Sequence, residues 1–214
     1  MDSKGLVEST RDDLPEAKKR YAHEHECCVT LAEAIRSIKA TILIGTSTIP
    51  KSFTQDVIEG MAENTAHPLI FPYSNPTSKS ECSAEEAYTW TNGKCIFASG
   101  SPFPPLTLNG KLYTPGQGNN VFIFPAMGLA ILAANPTHIP DEAFIVAAHA
   151  LAAQVRAQDF ATGLIYPPMK DIRESSMHVA AAITQYFHDA GLAREPLPDN
   201  IGDHVRAIAW KPIY

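Results

Sequence analysis

The sequence lacks a long apolar run, a basic excess and a dense set of cysteines. No stretch of about 20 apolar residues occurs, so we expect no membrane-spanning helix. Lys and Arg number 17 against 23 Asp and Glu, and a net charge of −6 disfavours nucleic-acid binding. The four cysteines are too irregularly spaced for a disulfide framework. We therefore expect reduced thiols in a soluble intracellular protein, with cytoplasm, plastid and mitochondrion left open.

The chain also lacks the features of disorder and of secretion. Hydrophobic residues make up 45% and charged residues 19% of the 214 residues, which is an ordinary globular balance. The first residues contain no apolar segment of the kind a signal peptide needs. Proline is abundant, with 17 residues, so we expect many shaped loops.

The first half alternates short apolar runs with helical patterns. Residues 41–45, 68–73 and 95–99 are β-branched or aromatic runs that end in small or polar residues, as buried parallel strands do. Apolar residues spaced by three and four follow at 31–38 and 53–61. Ser83 and Glu86 match a capping box at the start of a third helix. This alternation predicts βαβ units and an α/β fold with a parallel sheet.

The second half is typical of helices. Residues 121–134 are almost wholly apolar and predict a buried helix that ends at Asn135-Pro136. Residues 141–158 and 171–188 predict two longer amphipathic helices, with Gly191 as a C-terminal cap. The proline-punctuated residues 194–214 predict a tail that lies over the surface.

Small polar residues follow each predicted strand, at 45–47, 74–77 and 99–101. Ligands of parallel α/β sheets bind at the carboxyl ends of the strands, so these segments are the expected ligand-facing rim.

Four segments are more specific than packing requires: SNPTSKSEC at 74–82, FASGSPF at 97–103, PGQGNN at 115–120 and GLIYPP at 163–168. In this order they closely resemble malic enzymes, the oxidative decarboxylases of malate, and the resemblance runs along essentially the whole chain. It implies an incomplete Rossmann-like parallel sheet with a helical C-terminal extension. Residues 1–193 would be an NAD(P)-binding domain lacking its first strand and glycine-rich turn, and 194–214 its surface tail.

Parts of the family pattern are missing from this sequence. No GxGxxG occurs, and Gly116-Gln117-Gly118 follows no predicted strand. The resemblance also implies an N-terminal domain that supplies a catalytic tyrosine and lysine and the ligands of a divalent Mg or Mn ion. No counterpart of those segments is found, so we assign no catalytic or metal-binding residue in this chain.

The resemblance implies two substrate-facing amides, Asn75 and Asn119. Amide groups can hold a carboxylate without cancelling the charge of a metal. The alternative is that Asn75 only opens an Asn-Pro turn and Asn119 only ends a loop. The cofactor-binding residues that the resemblance implies are Asp2, Ser3, Lys4, Gly45, Thr46, Ser47, Ser74, Asn75, Gly100 and Asn119.

Basic residues favour NADP over NAD as the coenzyme, although NAD remains possible. Lys4 and the run Lys18-Lys19-Arg20 could pair with a 2′-phosphate, and plant-type NADP malic enzymes have a similar basic pair. The alternative is a solvated basic patch. Pro50 stands where the family has a glycine, which puts a flexible backbone contact there in doubt.

Residues 23–28, HEHECC, contain zinc-ligand types, but no second cluster follows at a recognised spacing. Malic enzymes have a similar stretch without a metal role, and we interpret it as a polar approach to a helix.

Two functions follow as hypotheses. The chain is the NAD(P)-binding part of a malic enzyme, which acts on malate and forms pyruvate but is not competent alone. Alternatively, it is a non-catalytic fragment or interaction module that pairs with a full-length or N-terminal malic enzyme chain. A sheet without its first strand would leave an open edge, which would favour a homo-oligomer or a partner domain.

Overall fold

The computed structural model describes residues 1–211, and the chain divides into two compact units. Unit 1 is Met1–Lys111 and unit 2 is Leu112–Tyr214. This division by contacts differs from the domain boundary at residue 193 expected from the family likeness, which stays a prediction.

Unit 1 contains the parallel sheet that the sequence predicts. Its strands β1 (Ile42–Gly45), β2 (Leu69–Pro72) and β3 (Ile96–Ser99) lie side by side in that order, with Ile42 opposite Leu69 and Leu69 opposite Ile96. The elements of this unit are α1 (Glu16–Lys19), α2 (Leu31–Ile38), β1 (Ile42–Gly45), α3 (Gln55–Asn64), β2 (Leu69–Pro72), α4 (Ala84–Trp90), β3 (Ile96–Ser99) and β4 (Leu106–Leu108). Two further short strands follow, β5 (Lys111–Tyr113) and β6 (Gly116–Gln117).

Local sequence signals explain where these helices begin. The hydroxyl of Ser83 accepts from the backbone N–H of Glu86, whose side chain accepts from the N–H of Ser83, so the predicted capping box is confirmed. Thr30 and Glu33 form a second capping box at α2. The core beneath consists of fully buried side chains of α3, α4 and the strands, namely Ile58, Met61, Ile70, Tyr88 and Phe97.

The first strand lies at the edge of the sheet. In residues 1–111, β1 pairs with β2 alone, and its alternate residues Ile42 and Ile44 are 54% and 57% exposed. The open edge expected from the sequence is therefore present.

Unit 2 is helical. Its helices are α5 (Phe124–Ala134), α6 (Asp141–Ala152), α7 (Ala157–Ala161), α8 (Ile172–Asp189) and α9 (Ile201–Ile208). Helix α8 is central and packs against α5, α6 and α9. Alanines dominate the contacts, with Ala126, Ala130 and Ala147 fully buried around Ile183 and Phe187. Small side chains allow the helix axes to approach closely.

Three elements of unit 2 differ from the sequence prediction. A 3-10 turn at Asn120–Phe122 precedes α5, which is not buried all round, because Leu132 is 73% exposed. A helix that is apolar on every side has no periodicity to reveal its exposed face. The helix predicted over 141–158 is two helices, α6 and α7.

The expected surface tail contains a packed helix. Asn200 caps α9 by accepting from the N–H of Asp203, and Val205 is fully buried in the core of unit 2. Within residues 1–211, no helix combines the length and the hydropathy that crossing a bilayer would require.

Candidate functional site

Buried polar side chains gather at the carboxyl ends of β1, β2 and β3 in unit 1. Burying a polar group is costly unless it is hydrogen-bonded, so such a concentration needs partners and a reason. The residues concerned are Ser74, Ser80, Glu81, Ser99 and Ser101, each at most 5% exposed.

Glu81 is the centre of this group. Its Oε1 accepts from the backbone N–H of Ser47 at 3.1 Å, from the Ser47 hydroxyl at 3.2 Å and from the Ser74 hydroxyl. Its Oε2 accepts from the backbone N–H of Ser74 at 3.4 Å. A Cβ added at Gly45 would lie 2.5 Å from Cδ of Glu81, so any other residue at the end of β1 would displace this carboxylate. The carboxylate thus joins the ends of two neighbouring strands.

The loop after β1 is held in an unusual conformation. Thr48 has φ 58° and Lys51 has φ 60°, a region that β-branched residues such as threonine rarely adopt. The N–H of Thr48 donates to the Ser74 hydroxyl at 2.9 Å, and the N–H of Lys51 donates to the Ser80 carbonyl at 3.1 Å. Pro50 lies between these two attachment points, so the loop is fixed from both sides.

The end of β3 holds the side chain of Asn75. The Ser101 hydroxyl donates to Asn75 Oδ1 at 2.8 Å, and the Ser99 hydroxyl donates to the Ser101 carbonyl at 2.8 Å. A Cβ at Gly100 would lie 2.2 Å from the Tyr73 carbonyl oxygen, so only glycine fits there. The bond to Oδ1 orients the amide of Asn75 and leaves its NH₂ group as the donor for a ligand.

The structure thus brings together half of the residues predicted to bind cofactor or substrate. One network at the strand ends of unit 1 contains Gly45, Ser47, Ser74, Asn75 and Gly100. Thr46 is exposed next to them. Asn119 belongs to unit 2, where its Oδ1 accepts from the N–H of Val121 at 3.0 Å and caps the 3-10 turn. The alternative roles, a turn at Asn75 and a loop end at Asn119, are compatible with ligand binding. In both residues the recorded hydrogen bond uses the amide oxygen, and the NH₂ group is kept.

The comparisons with known proteins identify the family. The sequence profile described as "Malic enzyme, NAD binding domain" matches residues 1–188. The chain belongs to the malic enzyme family. It is 48% identical to the NADP-dependent malic enzyme of Vitis vinifera and 45% identical to NADP-dependent malic enzyme 2 of Arabidopsis thaliana. All of this chain is aligned, but it spans only 36% and 37% of those relatives.

Solved structures agree on the fold. The crystal structure of Entamoeba histolytica malic enzyme superposes with a TM-score of 0.74 over 98% of this chain and 40% of that chain, at 23% identity. The malic enzyme of Pyrococcus horikoshii Ot3 gives 0.64 over 83% of this chain and 36% of that one, also at 23% identity. The predicted Rossmann-like α/β fold and the predicted malic enzyme resemblance are confirmed.

The first residues of this malic enzyme chain form an ion-pair cluster. The Asp2 carboxylate accepts from Arg11 at 3.0 and 3.2 Å and from Lys18. The guanidinium of Arg11, and after it the ammonium of Lys18, hold the pKa of Asp2 well below its usual range. Ser3 is exposed beside it. The expected cofactor role of Asp2 and Ser3 stays a prediction.

The predicted basic residues have acidic neighbours. Lys4 Nζ lies 2.6 Å from Asp13, which also pairs with Arg11, and these two cations hold the pKa of Asp13 below its usual range. Lys19 lies 3.2 Å from Glu16. The positive charge available to a phosphate is therefore partly compensated within residues 1–20.

The described residues contain no group of side chains placed to hold a metal ion, and the thiols of Cys82 and Cys95 are unreactive. Within 1–211, no group of three or more His, Cys, Asp and Glu side chains is placed to hold a metal ion. All four cysteines are free thiols, of which Cys27 is exposed and Cys28, Cys82 and Cys95 are buried. Burial raises the pKa of Cys95 to about 11 and raises that of Cys82 further. These two buried thiols are protonated at neutral pH and are not nucleophiles.

Sequence reasoning missed Glu81 and Arg11. Glu81 stands inside the quoted segment 74–82, where it is the only acidic residue. A single carboxylate among serines was the available signal, but nothing in the sequence shows that it contacts Ser47, which lies 34 residues earlier.

Proposed function

We propose that this chain is the NAD(P)-binding part of a malic enzyme that uses NADP, with NAD as a possible substitute, and oxidises malate to pyruvate and CO₂. The polar network at the strand ends of unit 1 carries this proposal. It lies where parallel α/β sheets bind dinucleotides. The names of the plant relatives, each an NADP-dependent malic enzyme, support the choice of NADP.

The residues present fit a dinucleotide. Thr46 is exposed directly after β1 and offers its hydroxyl to a ribose or a phosphate, whereas the Ser47 hydroxyl is already bonded to Glu81. The uncharged NH₂ groups of Asn75 and Asn119 are suited to a carboxylate or a nicotinamide ribose. Lys4 and Lys18 are the proposed partners of the 2′-phosphate, which would have to compete with Asp13 and Asp2.

This chain supplies binding and orientation rather than proton transfer. When bound, NADP accepts the hydride that leaves C2 of malate. Asn75, held by Ser101, would donate to a malate carboxylate and fix which hydrogen faces the coenzyme. The family resemblance assigns the general base, the general acid and the Mg or Mn ligands to an N-terminal malic domain.

Fluorescence titration tests the proposal. We expect NADPH to bind the 214-residue chain and to bind more tightly than NADH. Asn75→Ala is expected to weaken a ternary complex with malate while leaving NADPH binding alone nearly unchanged. Absence of binding to both coenzymes would contradict the proposal.

A mixing experiment tests competence. Malate-dependent NADPH formation in the presence of Mn²⁺ is measured for the chain alone and after addition of the N-terminal region of the Vitis vinifera relative. We expect turnover only in the mixture. Turnover by the chain alone would show that the base and the metal site lie within it.

The alternative, a non-catalytic module that pairs with another malic enzyme chain, is favoured by the open edge of β1. Ile42 and Ile44 leave apolar surface next to unpaired backbone, which is a template for a further strand. If the chain is such a module, Ile42→Lys with Ile44→Lys should abolish co-purification with a full-length malic enzyme. Homo-oligomer formation by the same edge is distinguished by light scattering of the chain alone.

A further inference from the structure

We propose that Glu81 is a positioning residue that locks the ends of β1 and β2 into one rigid rim and so presets the dinucleotide site. The proposal rests on the proposed function for its effect on coenzyme binding. The rigidity itself is a property of unit 1 and is measured without any coenzyme.

The complete burial of the Glu81 carboxyl group carries a free-energy cost. Glu81 is 0% exposed, and within residues 1–211 no salt bridge joins it to a cation. The nearby Lys51 instead pairs with Glu86 at 2.6 Å. The buried carboxyl group is therefore satisfied only by neutral donors, and burying a polar group is costly unless its hydrogen bonds are made. Such a group is expected where geometry matters more than stability.

The hydrogen-bond donors to the Glu81 carboxylate come from both strand ends. Four groups donate to the carboxylate, and they come from two loops that otherwise belong to different strands. Two of them are backbone N–H groups, which cannot reverse their role, whereas hydroxyls can. The carboxylate therefore fixes the backbone positions of Ser47 and Ser74 directly.

Ser74 connects Glu81 to the residues that are proposed to face a ligand. Ser74 holds Thr48 in its positive-φ conformation through the bond to its hydroxyl, and Ser74 is also the chain neighbour of Asn75. The backbone N–H of Phe53 donates to the Glu81 carbonyl at 3.0 Å, so the loop is held at a further point. An unfavourable backbone conformation persists only when its surroundings over-determine it. Removing the carboxylate should release the loop of residues 46–50 and the turn at 73–75 together.

Because Glu81 is fully buried, it acts through Ser47 and Ser74 and does not touch a ligand itself. Glu81→Gln keeps the shape of the side chain but replaces one acceptor oxygen with an NH₂ donor, which then faces a backbone N–H. Glu85→Gln is the matched control. Glu85 is exposed on the first turn of α4, so this substitution makes the same chemical change without breaking the hydrogen bonds of Glu81.

The test combines hydrogen exchange with titration. In Glu81→Gln we expect exchange of the hydrogen-bonded amides within residues 46–50 and 73–75 to accelerate by about tenfold or more, because a buried acceptor is lost. Amides of α8, in the other unit, serve as the internal standard and should be unchanged. NADPH affinity should fall by about tenfold, a change of about 1.4 kcal/mol. Glu85→Gln should alter neither quantity.

The outcomes separate the two proposals. If wild-type chain binds no NADPH, the proposed function fails, while accelerated exchange at 46–50 and 73–75 would still support the positioning role of Glu81. Unchanged exchange in a folded Glu81→Gln variant overturns it. If Glu81→Gln does not fold, Glu81→Asp decides. It keeps the carboxyl group but shortens its reach to the backbone N–H groups of Ser47 and Ser74, and exchange equal to that of wild type at these amides also overturns the proposal.

Discussion

The two units bury polar groups in opposite ways. In unit 1 the buried Glu81, Ser74 and Ser99 are hydrogen-bonded and gather at one end of the sheet. In unit 2 the hydroxyls of Ser175 and Thr184 are buried among helices with no hydrogen-bond partner in the described part of the chain. Polar burial in unit 1 is thus compensated by internal hydrogen bonds at the strand ends, whereas unit 2 is held by apolar packing. Four predictions, from the largest effect to the smallest, test this comparison.

Deleting a large core side chain should affect unit 2 most. Phe187 is fully buried between the alanine-rich helices. We expect Phe187→Ala to lower the free energy of unfolding by about 3–5 kcal/mol, since the surrounding small residues cannot fill the cavity. Urea denaturation followed by circular dichroism measures it. Phe160→Ala, at a 58% exposed position of α7, should cost far less, and equal losses would contradict the packing argument.

Alanine substitutions at two glycines should change the free energy of unfolding in opposite directions. Gly100→Ala places a Cβ against the backbone of Tyr73 and should cost about 1–3 kcal/mol. Gly128→Ala, in the middle of α5 with no atom within 4 Å of the added Cβ, should stabilise by about 0.5–1 kcal/mol. Thermal unfolding of both variants checks the signs. Destabilisation by Gly128→Ala would mean that this face of α5 is covered.

Two buried threonines provide a matched pair. Thr91 of unit 1 is 3% exposed and its hydroxyl both donates to the Ala87 carbonyl and accepts from the Cys95 N–H. Thr184 of unit 2 is 0% exposed, and its hydroxyl has no hydrogen-bond partner within residues 1–211. We expect Thr91→Val to cost about 1–2 kcal/mol and Thr184→Val to be neutral or stabilising by about 1 kcal/mol. If urea denaturation gave changes in unfolding free energy of the same sign for both variants, the contrast between the two units would be contradicted.

The smallest expected effect is on the stability of the chain at acid pH. The pKa values of Asp2 and Asp13 are lowered in the folded chain, so their contribution is complete above the unfolded pKa of about 3.9 and is lost as pH falls below it. Arg11→Met removes the cation that pairs with both carboxylates. The free energy of unfolding should therefore fall less steeply below about pH 4 in this variant than in wild type. The urea midpoint of each protein is followed from neutral to acid pH. Lys19→Met, which removes an exposed pair with Glu16, should leave the decline unchanged.

Much of the fold could be predicted because its signals are local. The runs that form β1, β2 and β3 are short and apolar, and the Ser83 capping box lies within four residues. Helix α9 was missed although Asn200 offers a cap and Ile201, Val205 and Ile208 have helical spacing, because prolines dominate the preceding residues.

The site was less accessible to sequence reasoning. The strand-end residues could be named from topology and resemblance, but the role of Glu81 depends on a loop that folds back across 34 residues. Nor does spacing show that Arg11 binds both Asp2 and Asp13, since that requires the chain to turn between them. Short-range patterns predict elements, whereas charge partners depend on the tertiary fold.

The distribution of the four thiols has a practical consequence for following this protein in solution. Cys27 is exposed, while Cys28, Cys82 and Cys95 lie inside unit 1, and the last two are held in the unreactive form by burial. A maleimide dye at neutral pH should therefore attach at one position without any engineered substitution. That position precedes α2 by only a few residues. A single fluorophore there would report binding, assembly and unfolding on the unmodified sequence.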